Sequence, residues 1–244
     1  MTYDARAALA AIDDHTVVVL AFFAVVAVAT FTYLVSSFRT AYQDRAYSCA
    51  LPAVGWFAVH DLGFVLQYDQ WFHTYDHWWV KGWWVALIAT SLIELALVGL
   101  VVRYGHAELA PHLSRKVFAL GVWAGVAAIG VLWILVKRSI DDDLYLISFP
   151  ITAFWAVPFG TALMLRRGSR RGQSALQPAC VAVIVVGFQG ALWFVDDFFR
   201  SWEFLTFTVM AVGWSLANIW LIRTLPAWSR SAPDVPVPVE AVAR

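Results

Sequence analysis

Seven long apolar stretches separated by short polar segments make up most of the chain. They fall at residues 15–36, 48–67, 79–103, 117–136, 145–165, 178–197 and 203–223, each near the ~20 residues that carry a helix across a hydrocarbon core. Lipid offers no partner to backbone N–H and C=O groups, so a segment that crosses it alone must be helical. The pattern predicts an all-α protein, a seven-transmembrane helix bundle. The connections are short, which predicts one bundle over residues 1–225. Beyond it, residues 226–244 are Pro-rich and predict a disordered cytoplasmic tail. No internal repeat points to a transporter built from two halves.

Composition supports lipid as the solvent. Of the 244 residues 61% are hydrophobic and 14% charged, and the mean hydropathy is +0.68. So few charges do not cover a soluble domain of this size. The net charge of zero gives no reason to expect a nucleic-acid partner. The two cysteines, Cys49 and Cys180, each lie beside an apolar run and read as small buried residues, not as a disulfide framework or metal cluster. The first run follows Asp4, Asp13 and Asp14. A signal peptide has a basic start and a shorter core, so this run reads as a true span.

Charge sets the expected orientation. Arg39, Arg45, Arg103, Arg115, Lys116, Arg166, Arg167, Arg170, Arg171, Arg223, Arg230 and Arg244 fall on one side, twelve in all, against five (Arg6, Lys81, Lys137, Arg138, Arg200) on the other. The positive-inside rule puts the twelve in the cytoplasm and the N-terminus outside. The expected location is the plasma membrane of a bacterium. Acidic residues run the opposite way, so the outer mouth of the bundle is expected to be acidic.

Two acids lie within the predicted spans, Asp61 in WFAVHDLGF and Glu94 in TSLIELALV. A charge at membrane depth costs about 2.5–3.5 kcal/mol even on lenient insertion scales, so each invites a functional reading. Burial favours the neutral carboxyl, the state that a Brønsted acid catalyst needs. The alternative for both is a neutral carboxyl hydrogen-bonded between helices. His60 precedes Asp61 but projects about 100° away around a helix, so the two are not expected to share a face. Asp196 and Asp197 close the sixth run at the same outer level. They either face the same cavity or pair with Arg200 at the interface.

Aromatic residues are the second departure from a plain bundle: 14 Trp, 17 Phe and 8 Tyr. Trp71, Phe72, Tyr75, Trp78, Trp79, Trp83, Trp84, Trp193, Phe194, Phe198, Phe199 and Trp202 crowd the outer half. A belt at the headgroups explains part of this. Aromatic faces also stabilise a carbocation without offering a nucleophile to quench it. Trp79, Trp83, Trp193 and Phe57 are candidates for a substrate cavity, with His60 and Glu94. Other signals are weaker. The run Asp141–Asp143 reads as solvated, HTYDH at 73–77 lacks the further ligands of a metal site, and no Ser-His-Asp arrangement is legible. The last span has no lysine, which excludes a rhodopsin-type retinal Schiff base there.

Two segments carry a resemblance to a known family. RGSRRGQS at Arg167–Ser174 is similar to the RGSSRG-type loop of the small integral membrane terpene cyclases of meroterpenoid biosynthesis. RAYSCALPAVGWFAVHD at Arg45–Asp61 is similar to a family segment that opens with Arg-x-Tyr and ends in Asn-x-x-Trp-Glu. The length and seven-span layout agree over residues 20–225. Asp61 stands where the family has its catalytic glutamate, whereas Phe57 replaces the Asn and His60 the Trp. The family's second acid, expected around Val212–Trp214, is absent.

The resemblance implies a membrane-bound terpene cyclase. A buried acid, Asp61, protonates an epoxide or alkene of a prenylated small molecule, and the cation closes rings and ends by proton loss or capture. Asp196 or Asp197 is then expected to polarise or deprotonate. No diphosphate leaves, so the resemblance implies neither metal nor cofactor. Two rivals remain: an isomerase of other isoprenoid or sterol-like lipids, and a seven-helix receptor or transporter. A transporter predicts polar residues continuing to the cytoplasmic side, where the sequence shows mostly Ala, Val, Leu and Ile.

Overall fold

Each of the seven apolar runs is a helix in the computed structural model, which describes residues 3–228. In chain order they are α2 (Thr16–Asp44), α3 (Leu51–Val65), α4 (Trp78–Leu109), α5 (Arg115–Ser139), α6 (Ser148–Arg167), α7 (Leu176–Leu192) and α8 (Trp202–Thr224), preceded by α1 (Ala5–Asp14). No strand occurs among the described residues. Five of them, α2, α4, α5, α6 and α8, are long and apolar enough to cross a membrane, and α3 and α7 are shorter apolar helices. Several long apolar helices of this kind make a multi-pass membrane protein.

Local chemistry sets the helix ends. Side chains of Asp4, Ser114 and Ser201 accept from backbone N–H groups of the first turns of α1, α5 and α8, relieving donors that a helix start leaves orphaned. Pro52 sits in the first turn of α3, where its missing N–H costs nothing. Gly168 ends α6 with φ 58°, a left-handed conformation that glycine adopts without strain.

The apolar run beginning near His15 is therefore not the first element. α1 precedes it as a short amphipathic helix whose Ala8, Leu9 and Ile12 are buried. Trp78 donates to the Asp13 carboxylate at 2.8 Å. That bond, together with His77, holds the exposed Asp13 carboxyl below its usual range. The first and third runs continue as helix beyond residues 36 and 103, to Asp44 and Leu109, whereas the sixth is cut short, because α7 stops at Leu192, one turn before Asp196.

α3 packs against α4, α5 and α6, and α7 against α2, α6 and α8. α2 and α7 approach closely because Gly187 faces Val26, and a Cβ at Gly187 would lie 2.6 Å from Val26 Cγ2. Small residues allow such contacts between helices in lipid. The seven apolar helices alternate in direction, giving an acidic end (Asp141–Asp143, Asp196, Asp197) and a basic end (Arg166–Arg171).

At the basic end the segment Arg167–Ser174 is a clasp. Arg167 donates to both carboxylate oxygens of Glu108 (3.0 and 2.9 Å) and to the carbonyls of Arg171 (2.8 Å) and Tyr47 (3.1 Å). Its guanidinium lies 4.5 Å from the centre of the Tyr47 ring. Gly172, at φ 73°, donates to Asp44 Oδ2 at 2.7 Å, and a Cβ there would meet the Tyr47 carbonyl at 3.0 Å. The first residues of the expected disordered tail are placed against this loop: Arg170 N donates to the Pro226 carbonyl, and Arg171 lies over Trp228. The remainder of the tail is outside the described residues.

Candidate functional site

A cavity of about 90 Å³ lies between α2, α3, α4, α6 and α7. Asp61 enters it from α3, and Thr90 and Glu94 from α4. Trp83, Leu87, Thr90 and Glu94 fall at intervals of four, three and four residues, so they form one stripe of α4. Phe57, Tyr33, Phe31, Phe149 and Phe188 complete an aromatic wall. Trp83 stacks on Phe149 (5.2 Å, 22°), and Phe149 stacks on Phe188 (5.9 Å, 10°). The most exposed lining residue is Phe31, at 38%. With the partly exposed Ala27 and Thr30 of α2 and Ala86 of α4, it puts the way in along the α2–α4 seam, on the flank of the bundle.

Asp61 has both carboxyl oxygens engaged. Oδ1 is 2.9 Å from His60 Nδ1, and Oδ2 accepts the Thr90 hydroxyl at 2.5 Å. The expectation that His60 and Asp61 point apart is corrected: both side chains bend toward each other, and the chain continues. His60 Nε2 is 3.1 Å from Ser148 Oγ. The imidazole is fully buried and boxed by Trp133, Tyr145 and Phe149, with ring centres at 4.8, 5.3 and 5.0 Å. A Ser148–His60–Asp61 sequence of contacts therefore exists, although no such arrangement was legible in the sequence. Its polarity is the reverse of a serine hydrolase's. Here the carboxyl lines the cavity, while neither Ser148 nor His60 does.

The acidic end anchors this chain. Asp142, expected to be solvated with its neighbours, is fully buried. It accepts from Ile147 N (3.1 Å), Ser148 N (2.9 Å) and the Tyr3 hydroxyl (2.7 Å), and so fixes the first turn of α6 that presents Ser148 to His60. Burial, then the Asp142 carboxylate, pushes the Tyr3 hydroxyl far above its usual range. Asp142→Ala leaves three donors without this acceptor, two of them buried. We expect a loss of about 3 kcal/mol in thermal unfolding of the detergent-solubilised protein, against about 1 for Tyr3→Phe. Equal effects of the two variants would refute this anchoring role.

The remaining candidates separate. Trp79 is buried one layer behind the cavity, packed on Phe23 and Trp83. Asp196 and Asp197 do not line the cavity. Asp196 accepts from Phe198 N (2.8 Å) as a cap, and Asp197, whose side chain is 91% exposed, pairs with Arg200 at 2.8 Å. The reason is that α7 ends early and the chain turns outward before them. Trp193 is 41% exposed and Trp202 76%, which suits the interfacial belt and not a cavity wall.

A second polar group lies toward the basic end. Tyr33, which lines the cavity, has its hydroxyl 3.2 Å from Cys49 Sγ. Cys49 in turn contacts Ser37, and Gln177 donates to Ser37 at 3.1 Å. Polar side chains thus continue past the cavity, which the sequence reading did not anticipate.

Compared with protein-family models, curated proteins and solved structures, the chain has no match.

Proposed function

We propose that the protein is a membrane-bound, acid-initiated cyclase of prenylated small molecules, working without redox chemistry through a carbocation. The observation that carries this reading is the juxtaposition of two carboxyl groups, Asp61 and Glu94, on one cavity walled by stacked aromatic rings. A carboxyl supplies the proton, the ring faces stabilise positive charge, and the rest of the lining is apolar apart from the hydroxyls of Thr30, Tyr33, Thr90 and Thr152. The flank opening suits a substrate that partitions into lipid. The cavity's size suits the reacting end of a prenyl chain, the rest lying along the α2–α4 seam. The resemblance of Arg45–Asp61 and Arg167–Ser174 to membrane terpene cyclases adds to this reading.

Seven crossings with the N-terminus outside follow from the same proposal. α3 and α7, at 15 and 17 residues, span only about 22–25 Å, and each exposes large apolar side chains, Leu62 on α3 and Leu176, Val183 and Val186 on α7, that suit contact with lipid. The twelve-to-five distribution of Lys and Arg supports the orientation. An isomerase of another isoprenoid would use the same carboxyl and aromatic groups and differ only in its product.

Membranes containing the protein, fed a farnesylated aromatic and its terminal epoxide with a chelator present, are expected to form a product of unchanged mass. Mass spectrometry and NMR would show new rings. Ring-free products of shifted double bonds would favour the isomerase. The Tyr33–Cys49–Ser37–Gln177 series favours a second reading, a proton-coupled transporter. No conversion, with proton flux in proteoliposomes, would replace the cyclase by it.

A further inference from the structure

We propose that Glu94, not Asp61, holds the proton that starts the reaction, and that Asp61 is the carboxylate that takes a proton at its end. This deepens the proposed function and rests on it. Among the described residues, no donor or acceptor reaches Glu94 Oε2, which is fully buried. An ionised carboxylate without donors in an apolar cavity is prohibitively costly, so Glu94 is neutral. Two carboxylates facing one largely apolar cavity would also repel each other, which leaves the negative charge to the partner with more hydrogen-bond donors.

That partner is Asp61, with Thr90 donating to Oδ2 and His60 Nδ1 beside Oδ1. Asp61 as the carboxylate takes the Nδ1–H form of the imidazole, donating to Oδ1; Glu94 as the proton donor holds for either tautomer. If Asp61 carried a proton, the proton would lie in the contact with His60 or beside the Thr90 hydroxyl, turned away from a ligand. Glu94 has a carboxyl oxygen with no other engagement, one helical turn beyond Thr90 on the same face of α4. Tyr33 and Cys49 are the other titratable groups nearby, and their hydroxyl and thiol bond to each other.

The step balances for an epoxide. The Glu94 proton forms an O–H bond as the C–O bond breaks and a cation forms. The π pair of a neighbouring alkene closes a C–C bond to that cation. A C–H proton beside the last cation passes to Asp61, and its electron pair becomes the new C=C bond. One proton enters and one leaves, so the product is an isomer of the substrate. Return of the proton from Asp61 to Glu94 resets the site.

The full-length protein in lipid nanodiscs at neutral pH provides the test, through the infrared C=O stretch of a protonated carboxyl and turnover of the farnesylated aromatic epoxide. Wild type and Asp61→Asn are expected to show the band and Glu94→Gln to lose it. Turnover in Glu94→Gln is expected to fall a hundredfold or more. Glu94→Asp, which keeps an acid at the position, is expected to retain the band and recover part of the rate, so loss of folding in the Gln variant does not decide the matter. A band that survives in Glu94→Gln and vanishes in Asp61→Asn would overturn the assignment while leaving a carboxyl-dependent cyclase standing. Turnover in Glu94→Gln within a few-fold of wild type would overturn it as well. A wild type that shows the Glu94 band and converts no prenyl substrate would refute the cyclase and not the protonation state.

Discussion

Asp61→Asn is expected to slow turnover of the prenyl epoxide by about 10²–10⁴-fold, with little change in KM or in the folded fraction. Asn has nearly the shape of Asp; its oxygen accepts from Thr90, and its NH2 donates to His60 Nδ1 once the imidazole moves its hydrogen to Nε2, facing Ser148 Oγ. The contacts that hold α3 against α4 and α6 therefore survive. What is lost is the negative charge facing the cation and the group that removes the final proton. Asp61→Glu is expected to fall between the two, because the added methylene keeps the charge but shifts it off both His60 and Thr90. The measurement is initial rate against substrate concentration in purified membranes, normalised to folded protein by thermal unfolding. If Asp61→Asn kept a rate within a few-fold of wild type, the carboxyl would have no part in the chemistry, and the buried contact with His60 would be packing only.

The seven apolar helices were legible because lipid imposes a length and a continuous hydrophobic character that few other structures share. α1 was not, because its signal is a single amphipathic turn pattern, Ala8, Leu9 and Ile12, on an Ala-rich polar segment. Asp61 and Glu94 stood out as charges at membrane depth, and Thr90 was within reach of the same reasoning, four residues before Glu94. Ser148 was not, since it meets His60 across 88 residues of sequence. The helical-wheel argument that separated His60 from Asp61 considers only Cβ directions. A buried imidazole with no other partner for Nδ1 swings toward the nearest carboxyl. Asp196 and Asp197 failed as cavity residues because the end of α7 depends on the chain turning after Leu192, and hydropathy does not register where a helix stops within an apolar run. The aromatic residues divide for a related reason. Trp83 on the α4 stripe faces inward, whereas Trp193 follows the last turn of α7 and meets the interface.

The largest structural effect is expected far from the cavity, at Arg167. Its side chain is 6% exposed and its pair with Glu108 is bidentate, with two further bonds to carbonyls of Tyr47 and Arg171. Replacement by Ala removes all four of these hydrogen bonds and leaves Glu108 with Arg166 and the Tyr47 hydroxyl, at a cost of roughly 3 kcal/mol, the lower end for breaking a buried pair. The lower end applies because the Glu108 side chain is 25% exposed. Arg167→Lys restores the charge but not the planar fork, so it is expected to recover less than half of the loss. Arg170 has an exposed side chain in the same loop, and its replacement by Ala is expected to change stability by less than about 0.5 kcal/mol. Thermal unfolding of the three variants in one detergent, with turnover per folded molecule, separates a clasp from a site. The clasp predicts a graded fall in stability with turnover unchanged, because Glu94 stands about 21 Å of helix before Glu108 on α4 and Asp61 lies toward the far end of α3. Equal stability of Arg167→Ala and Arg170→Ala would mean that the similarity of this loop to the membrane cyclases reflects something other than the closure of α2, α4 and α6 at their basic ends. Lost turnover with intact stability would instead bring the basic loop into the reaction.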